Sequence, residues 1–400
     1  MANMQELIDN GLVDSIKSQY KNIAHDISDK YFVLIADYID SISKLDSNQG
    51  LYLDSVEVVK SLPSVLTSIS EADLGEIHGR TDTDRIVMNS NMDYETNKLY
   101  FFHELTHALQ THQVNNHEEC SFYNGKTGMF LTEGATQYTA EILYHVSNGT
   151  NIEYKTQNGV VRGHPEHTPY SPLSEYQLNG NILMLLSASL NLPLNQILAL
   201  GYRKDGRQQI KGYYESFSEN EGKFEDFMLD LEKIYSIDKL IKLGYESQLQ
   251  DNPLNIKMQD GTTFVGNIQI QGELIDKVER ELAASFIANN DIESILKNYK
   301  KISDNLTTSQ LQTNFLNSIY TLAREVMADF IGNHNNDYIM KHYQEILDIL
   351  PTSQMKQEFI NAINEITSHE NELISSSDGI MTEINGEIKS EDPRLEKHFK

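Results

Sequence analysis

The chain is poor in cysteine, tryptophan, proline and positive charge. It has one cysteine, Cys120, no tryptophan and 8 prolines, and 32 Lys and Arg stand against 59 Asp and Glu. A single cysteine excludes an internal disulfide and any zinc site built on several thiolates. The net charge of −27 repels phosphate backbones and anionic lipid surfaces, which argues against a nucleic-acid partner. No apolar run reaches the roughly 18–20 residues that span a bilayer. The most apolar one, residues 182–190, stops at Asn191 and Pro193, so no membrane insertion is expected. The opening residues MANMQELID lack the basic start and apolar core of a signal peptide. The expected localisation is cytoplasmic, with leaderless export left open.

What remains is the composition of a folded chain. Its 39% hydrophobic and 23% charged residues supply both a core and a solvated surface. Apolar residues recur at helical steps over residues 4–24, and residues 31–45 form a second helical run. A helix interrupted at Pro63 is expected over residues 51–70. The texture then shifts to short β-branched strands, residues 75–79 and Arg85-Ile-Val-Met-Asn89. A helix capped by Asp93 and running to Gln110, a polar loop over 111–128 and a helix over 132–145 follow. Hairpins are predicted around Asn158-Gly159 and Asp260-Gly261, dipeptides that tolerate the positive φ of tight turns. From 273 to 374 about four helices are expected, broken at Asn289-Asn290, Asn305, the 332–336 cluster and Pro351.

Chemistry concentrates in His103-Glu104-Leu105-Thr106-His107. Residues four apart share a helix face, so His103 and His107 can bind one metal ion and Glu104, beside them, can reach a water on it. A catalytic zinc needs a third protein ligand and an open position. The metzincin continuation HExxHxxGxxH is absent, because Gln110 stands where Gly is required and Gln113 where His is required.

Downstream, Leu131-Thr-Glu-Gly-Ala-Thr-Gln-Tyr138 resembles the second helix of the gluzincin metallopeptidases, which include thermolysin and the zinc aminopeptidases. The resemblance covers about residues 85–145. It implies Zn2+ as cofactor, with His103, His107 and Glu133 as metal ligands, and it sets Gln137 behind a ligand histidine, fixing its ring. Thr132 replaces the usual Asn of that element, and 25 residues separate His107 from Glu133. Glu141 is the alternative third ligand. The strand at residues 85–89 resembles the zincin edge strand that holds extended substrates.

The resemblance implies peptide-bond hydrolysis by metal-activated water with Glu104 as general base, and a Tyr or His donor to the oxyanion. His167 and Tyr170 are the first choices, from a loop that also offers Arg162 and His164, with Tyr176 just beyond. The aminopeptidase signature G-x-M-E-N is missing upstream of His103, which favours endopeptidase action. The expected fold is α+β and predominantly helical. An N-terminal helical region (1–70) precedes a zincin-like metallopeptidase domain with a small sheet (71–250), a mostly helical C-terminal domain (251–374) and a polar tail (375–400). The partner is a peptide or protein substrate, and an acidic rim would favour basic peptides. The alternatives are a catalytically silent zincin-fold binding protein and a leaderless toxin or effector protease.

Overall fold

The computed structural model describes residues 29–44, 68–75, 79–82, 85–114, 117–148, 176–217 and 220–378. The expected helix over 4–24, the Pro63 break, the 151–163 hairpin and the tail beyond 378 lie outside them. The chain divides into two compact units, Met1–Asn317 and Ser318–Lys400. The described residues are mostly helical with small sheets, as expected for an α+β, predominantly helical chain.

In the first unit, α1 (Asp29–Lys44) leads to a three-stranded sheet of β1 (Ser68–Ala72), β2 (Gly79–Asp82) and β3 (Arg85–Asn89). The order is β1-β3-β2. β1 runs parallel to β3, with Ser68 opposite Arg85, and β2 runs antiparallel to it, with Gly79 opposite Met88. Two expectations are corrected here. Residues 68–70 are strand rather than helix, and the 85–89 strand is central, leaving β2 at the edge. Ile86, Val87 and Met88 are all buried; an unbroken apolar run of this kind suits a strand covered on both faces better than an edge.

Helix α2 (Tyr94–Gln110) has no Gly or Pro and buries Leu99, Phe101, Phe102, Leu105 and Leu109. It gives way at Thr111 to a hairpin, β4 (Thr111–Val114) and β5 (His117–Cys120), with Thr111 paired to Cys120. A polar loop was expected here. The strands THQV and HEEC carry no apolar alternation, and what marks their place is backbone pairing, continued by the Ser121 N–H donating to the Gln110 carbonyl at 2.9 Å.

Helix α3 (Met129–Ser147) packs against α2 and α1 and is buried along most of its circumference. It starts at Gly128, whose φ of 115° only glycine adopts readily, and where a Cβ would lie 2.1 Å from the Phe122 carbonyl oxygen. α4 (Gln177–Ser189) crosses α3 closely. Cβ atoms at Gly134 and Gly180 would come within 2.8 Å of Leu183 and of the Tyr138 ring. The unit continues with α5 (Leu194–Leu200), α6 (Gly206–Glu215), α7 (Phe224–Leu240), a π turn over Ile241–Tyr245 broken at Gly244, and α8 (Glu246–Asp251). The anticipated Asp260-Gly261 hairpin follows as β6 (Leu254–Lys257) and β7 (Thr263–Gly266). α9 (Ile268–Asn289) and α10 (Ile292–Ser303) then pack on α4.

The division between units falls within α11 (Ser309–Asn333). In the second unit α12 (Asn336–Ile349) pairs with α13 (Ser353–Asp378), and Phe330 meets Phe359 edge-on at 5.9 Å. The helix breaks fall at the Asn, Gly and Pro positions named from the sequence. Among the described residues no single helix is long and apolar enough to cross a membrane. α4 and α5 pass that test only as a pair bent by 108°, and their apolar residues, Ile182, Leu183, Leu185, Leu186, Ile197 and Leu198, are buried in the unit.

Candidate metal centre

Helices α2 and α3 lie against each other so that His103 and His107, one turn apart, face Glu133. The Nε2 atoms stand 3.5 and 3.3 Å from Glu133 Oε2, the rings 4.7 Å apart and nearly perpendicular. One ligand atom from each of the three lies within 4.8 Å of the others. Glu141 is outside this group, two turns along α3.

The outward ring nitrogens are held from behind. His103 Nδ1 lies 2.7 Å from Gln137 Oε1, whose amide nitrogen donates to Glu141 Oε1 at 3.0 Å. That leaves the Gln137 oxygen free to accept, so Nδ1 of His103 carries the proton. Thr136 Oγ1 donates to Gln110 Oε1 at 2.9 Å and lies 3.3 Å from His107 Nδ1. Its proton being committed, it can only accept from the imidazole. Both rings are thereby set in the tautomer that turns an Nε2 lone pair towards Glu133, the arrangement that ligand histidines require. Cys120 Sγ lies 3.9 Å from His107 Nδ1, on the side away from Glu133.

Electrostatics in the cluster follow from this packing. Burial opposes charge on His107, but the Glu133 carboxylate and the neighbouring Cys120 sulfur outweigh it and hold its pKa well above the ordinary imidazole value. Burial likewise raises the Glu133 carboxyl, while His107 and His103 pull it well below the usual carboxylate range. The proton that this raised pKa keeps on His107 must leave before a cation can bind; two imidazole nitrogens and an anionic oxygen then converge on one point and suit a borderline-soft divalent cation such as zinc.

Glu104 lies on the same side of α2, buried, with the Thr81 hydroxyl of β2 2.7 Å from its Oε2 and 2.9 Å from its carbonyl oxygen. Gly79 of β2 leaves room for it: a Cβ there would be 3.0 Å from Glu104 Cγ. The cleft over these groups has a volume of about 630 Å³. β2 supplies Gly79, Arg80 and Thr81 to its wall, which also includes Cys120, Tyr123, Met129, Tyr176, Tyr235, Lys239 and Gln259.

No family model, curated protein or solved structure matches the chain. Its chemistry is therefore read from the side chains themselves.

Of the residues named for the oxyanion, Arg162, His164, His167 and Tyr170 lie outside the described residues. Tyr176 is described and lines the cleft, its ring 5.7 Å from that of His103 and capped by Lys242 Nζ at 4.7 Å. Tyr235 of α7, not anticipated, faces Glu133; burial first, and that carboxylate next, push its phenol well above the ordinary tyrosine pKa. No local motif marks it, since it lies in an amphipathic helix 102 residues beyond Glu133. Thr136 was legible in principle, being three residues after Glu133 and so on nearly the same face of α3.

The start of α3 is fastened from far along the chain. Glu232 Oε2 of α7 accepts the Gly128 and Met129 N–H groups at 3.0 and 3.1 Å. Arg207 of α6 donates to the Phe122 and Thr127 carbonyls at 2.6 and 3.0 Å and to Glu225 at 2.7 Å.

Proposed function

We propose that the chain is a zinc-dependent endopeptidase of gluzincin type, with a zincin-like catalytic region around α2 and α3. One observation carries the reading: two histidine ring nitrogens and the Glu133 carboxylate converge within 4.8 Å in a cleft that Glu104 also lines. A zinc ion held by these three residues would supply a Lewis acid for the scissile carbonyl and lower the pKa of a water molecule.

The chain's own groups do the rest. Glu104 takes a proton from the attacking water and returns it to the departing amine. The Thr81 hydroxyl, 2.7 Å from Oε2, holds that carboxylate against β2. Gln137 and Thr136 keep the two imidazoles in one tautomer throughout. Tyr235, which lines the cleft and whose high pKa keeps the phenol protonated, is the residue we assign to donate to the developing oxyanion. Among the described residues no strand pairs with the outer edge of β2, and an extended peptide can add to it there as a further strand. An open cleft with an edge strand accepts the middle of a chain, in keeping with endopeptidase action.

The test begins with elemental analysis of native, untagged protein never exposed to chelator. About one zinc per chain is expected for a closed set of three ligands, lost in Glu133→Ala and kept in Glu141→Ala. Glu104→Gln should retain zinc and lose peptide cleavage. Metal content near zero after zinc addition refutes the reading. Zinc bound with no Glu104-dependent cleavage of any peptide leaves a metal-binding protein without turnover.

A further inference from the structure

The cleft does not end at the metal cluster. A groove of about 460 Å³ adjoins it along α7 and the β6–β7 hairpin, and the two share Tyr235, Lys239 and Gln259. Its walls include the apolar side chains of Leu240, Leu243 and Met258 and two lysines, Lys239 and Lys257. Leu243 is 64% exposed. Among the described residues no acidic side chain lines this extension, in a chain whose acidic residues outnumber its basic ones by 59 to 32.

Several lysines nearby are ion-paired, whereas Lys204 and Lys223, like the two in the groove, have no ion-pair partner among the described residues. Lys211, Lys233, Lys242 and Lys277, on α6 to α9, each sit within 4.0 Å of an aspartate or glutamate. Lys239 and Lys257 are exposed and have no ion-pair partner among the described residues. In the metal cleft itself the acidic wall residues are Glu104 and Glu133, both already assigned to the chemistry. The sign of the described lining is thus opposite to the acidic rim expected from composition.

We infer that this groove recognises an acidic segment of the polypeptide substrate, with aspartate or glutamate side chains received by Lys239 and Lys257 and apolar stems packed on Leu240 and Leu243. The inference rests on the hydrolase reading for the word substrate and on groove chemistry alone for the sign of the ligand. An aliphatic floor beside ammonium groups suits a glutamate better than a phosphate, because the glutamate methylenes find apolar contact while the carboxylate reaches the lysine. The strongly negative chain as a whole would repel such a ligand, so two lysines in one groove whose described walls carry no acid provide the local positive charge that draws it to one place.

The test measures binding separately from turnover. Three fluorescein-labelled decapeptides are used, identical except for four glutamates, four glutamines or four lysines at the same positions. Their binding to full-length Glu104→Gln protein is followed by anisotropy at low and at physiological salt. The glutamate peptide should bind about tenfold more tightly than the glutamine peptide, the yield of two exposed charge contacts, with the margin shrinking as salt rises. The double reversal Lys239→Glu/Lys257→Glu in that background should invert the order of the glutamate and lysine peptides. The milder Lys239→Gln/Lys257→Gln, which changes only charge at two exposed positions, should bring the three peptides together. Equal affinities in the parent, or a glutamate preference unmoved by either double variant, overturns the inference. Because Glu104→Gln is not required to cleave anything, these outcomes stand whether or not the wild-type protein is a peptidase. Digestion of a mixed peptide library by wild type then tests the hydrolase reading by itself: cut sites flanked by Asp or Glu support both, and no Glu104-dependent cuts sink the hydrolase reading alone.

Discussion

Glu232 makes the stability of the region around α3 depend on pH in a direction opposite to that of most carboxylates. It is fully buried and serves the first N–H groups of α3 through one oxygen, while Oε1 has no hydrogen-bond partner among the described residues. The two N–H donors and nearby Arg207 favour the anion, but burial outweighs them and pushes the pKa up from 4.5 to about 7. Between these values the folded protein keeps a proton that the unfolded chain has released. The stabilisation is therefore complete below the unfolded pKa and is lost as pH rises through the folded one. A rise of that size corresponds to about 3 kcal/mol, most of it lost between about pH 4.5 and pH 7.5. The measurement is urea denaturation followed by circular dichroism across that range, for wild type and Glu232→Gln in chelator. His107, whose raised pKa also makes stability fall with rising pH, contributes equally to both proteins, so their difference isolates Glu232. Wild type should lose about 3 kcal/mol relative to the variant on going from acid to alkaline pH. A difference that stays constant with pH, or one that grows in favour of wild type, would refute the reasoning.

Three further outcomes are expected. Gly128→Ala should be destabilised by more than about 3 kcal/mol in thermal or urea unfolding, because its Cβ collides with backbone rather than with a movable side chain and its φ is positive; a loss below about 1 kcal/mol contradicts the geometry. Gln137→Ala removes the acceptor behind His103 and should weaken zinc binding by about 10- to 100-fold in competition with a chromophoric chelator; an unchanged affinity would remove Gln137 from the support of the ligand. Tyr235→Phe should retain zinc and lower kcat by about 100-fold with little change in KM, as removal of an oxyanion donor does; an unchanged kcat would remove Tyr235 from the chemistry.

The parts of the architecture legible beforehand are those with a local cause. The α2 helix has an uninterrupted apolar period, the Asp260-Gly261 turn has its glycine at φ 84°, and the helix breaks after residue 289 and before residue 353 fall at Asn and Pro. What escaped has a non-local cause. β4 and β5 are polar strands held by each other, and β1 is a strand because β3 offers it a parallel partner 17 residues on. The centrality of β3 likewise follows from which strands flank it. The same division runs through the candidate site. His103, His107 and Glu104 share one helical turn and could be named from spacing alone, with Glu133 named from the resemblance of its helix. Thr81 and Tyr235 reach the cleft from other elements, and Lys239 and Lys257 acquire their meaning only from the groove they share.

The fastening of α3 by Arg207 and Glu232 also bears on when the centre can come into being. A nascent chain has made His103, His107 and Glu133 about a hundred residues before it has made Glu232. Until α6 and α7 are synthesised, the loop ahead of Gly128 lacks the guanidinium that gathers its carbonyls and the carboxyl that takes up the first N–H groups of α3. Contacts spanning 80 to 104 residues are slow to close and come after the local helices. The two halves of the candidate metal site are thus made early and brought into register late, so that a growing or truncated chain carries His103, His107 and Glu133 without the geometry that gathers them.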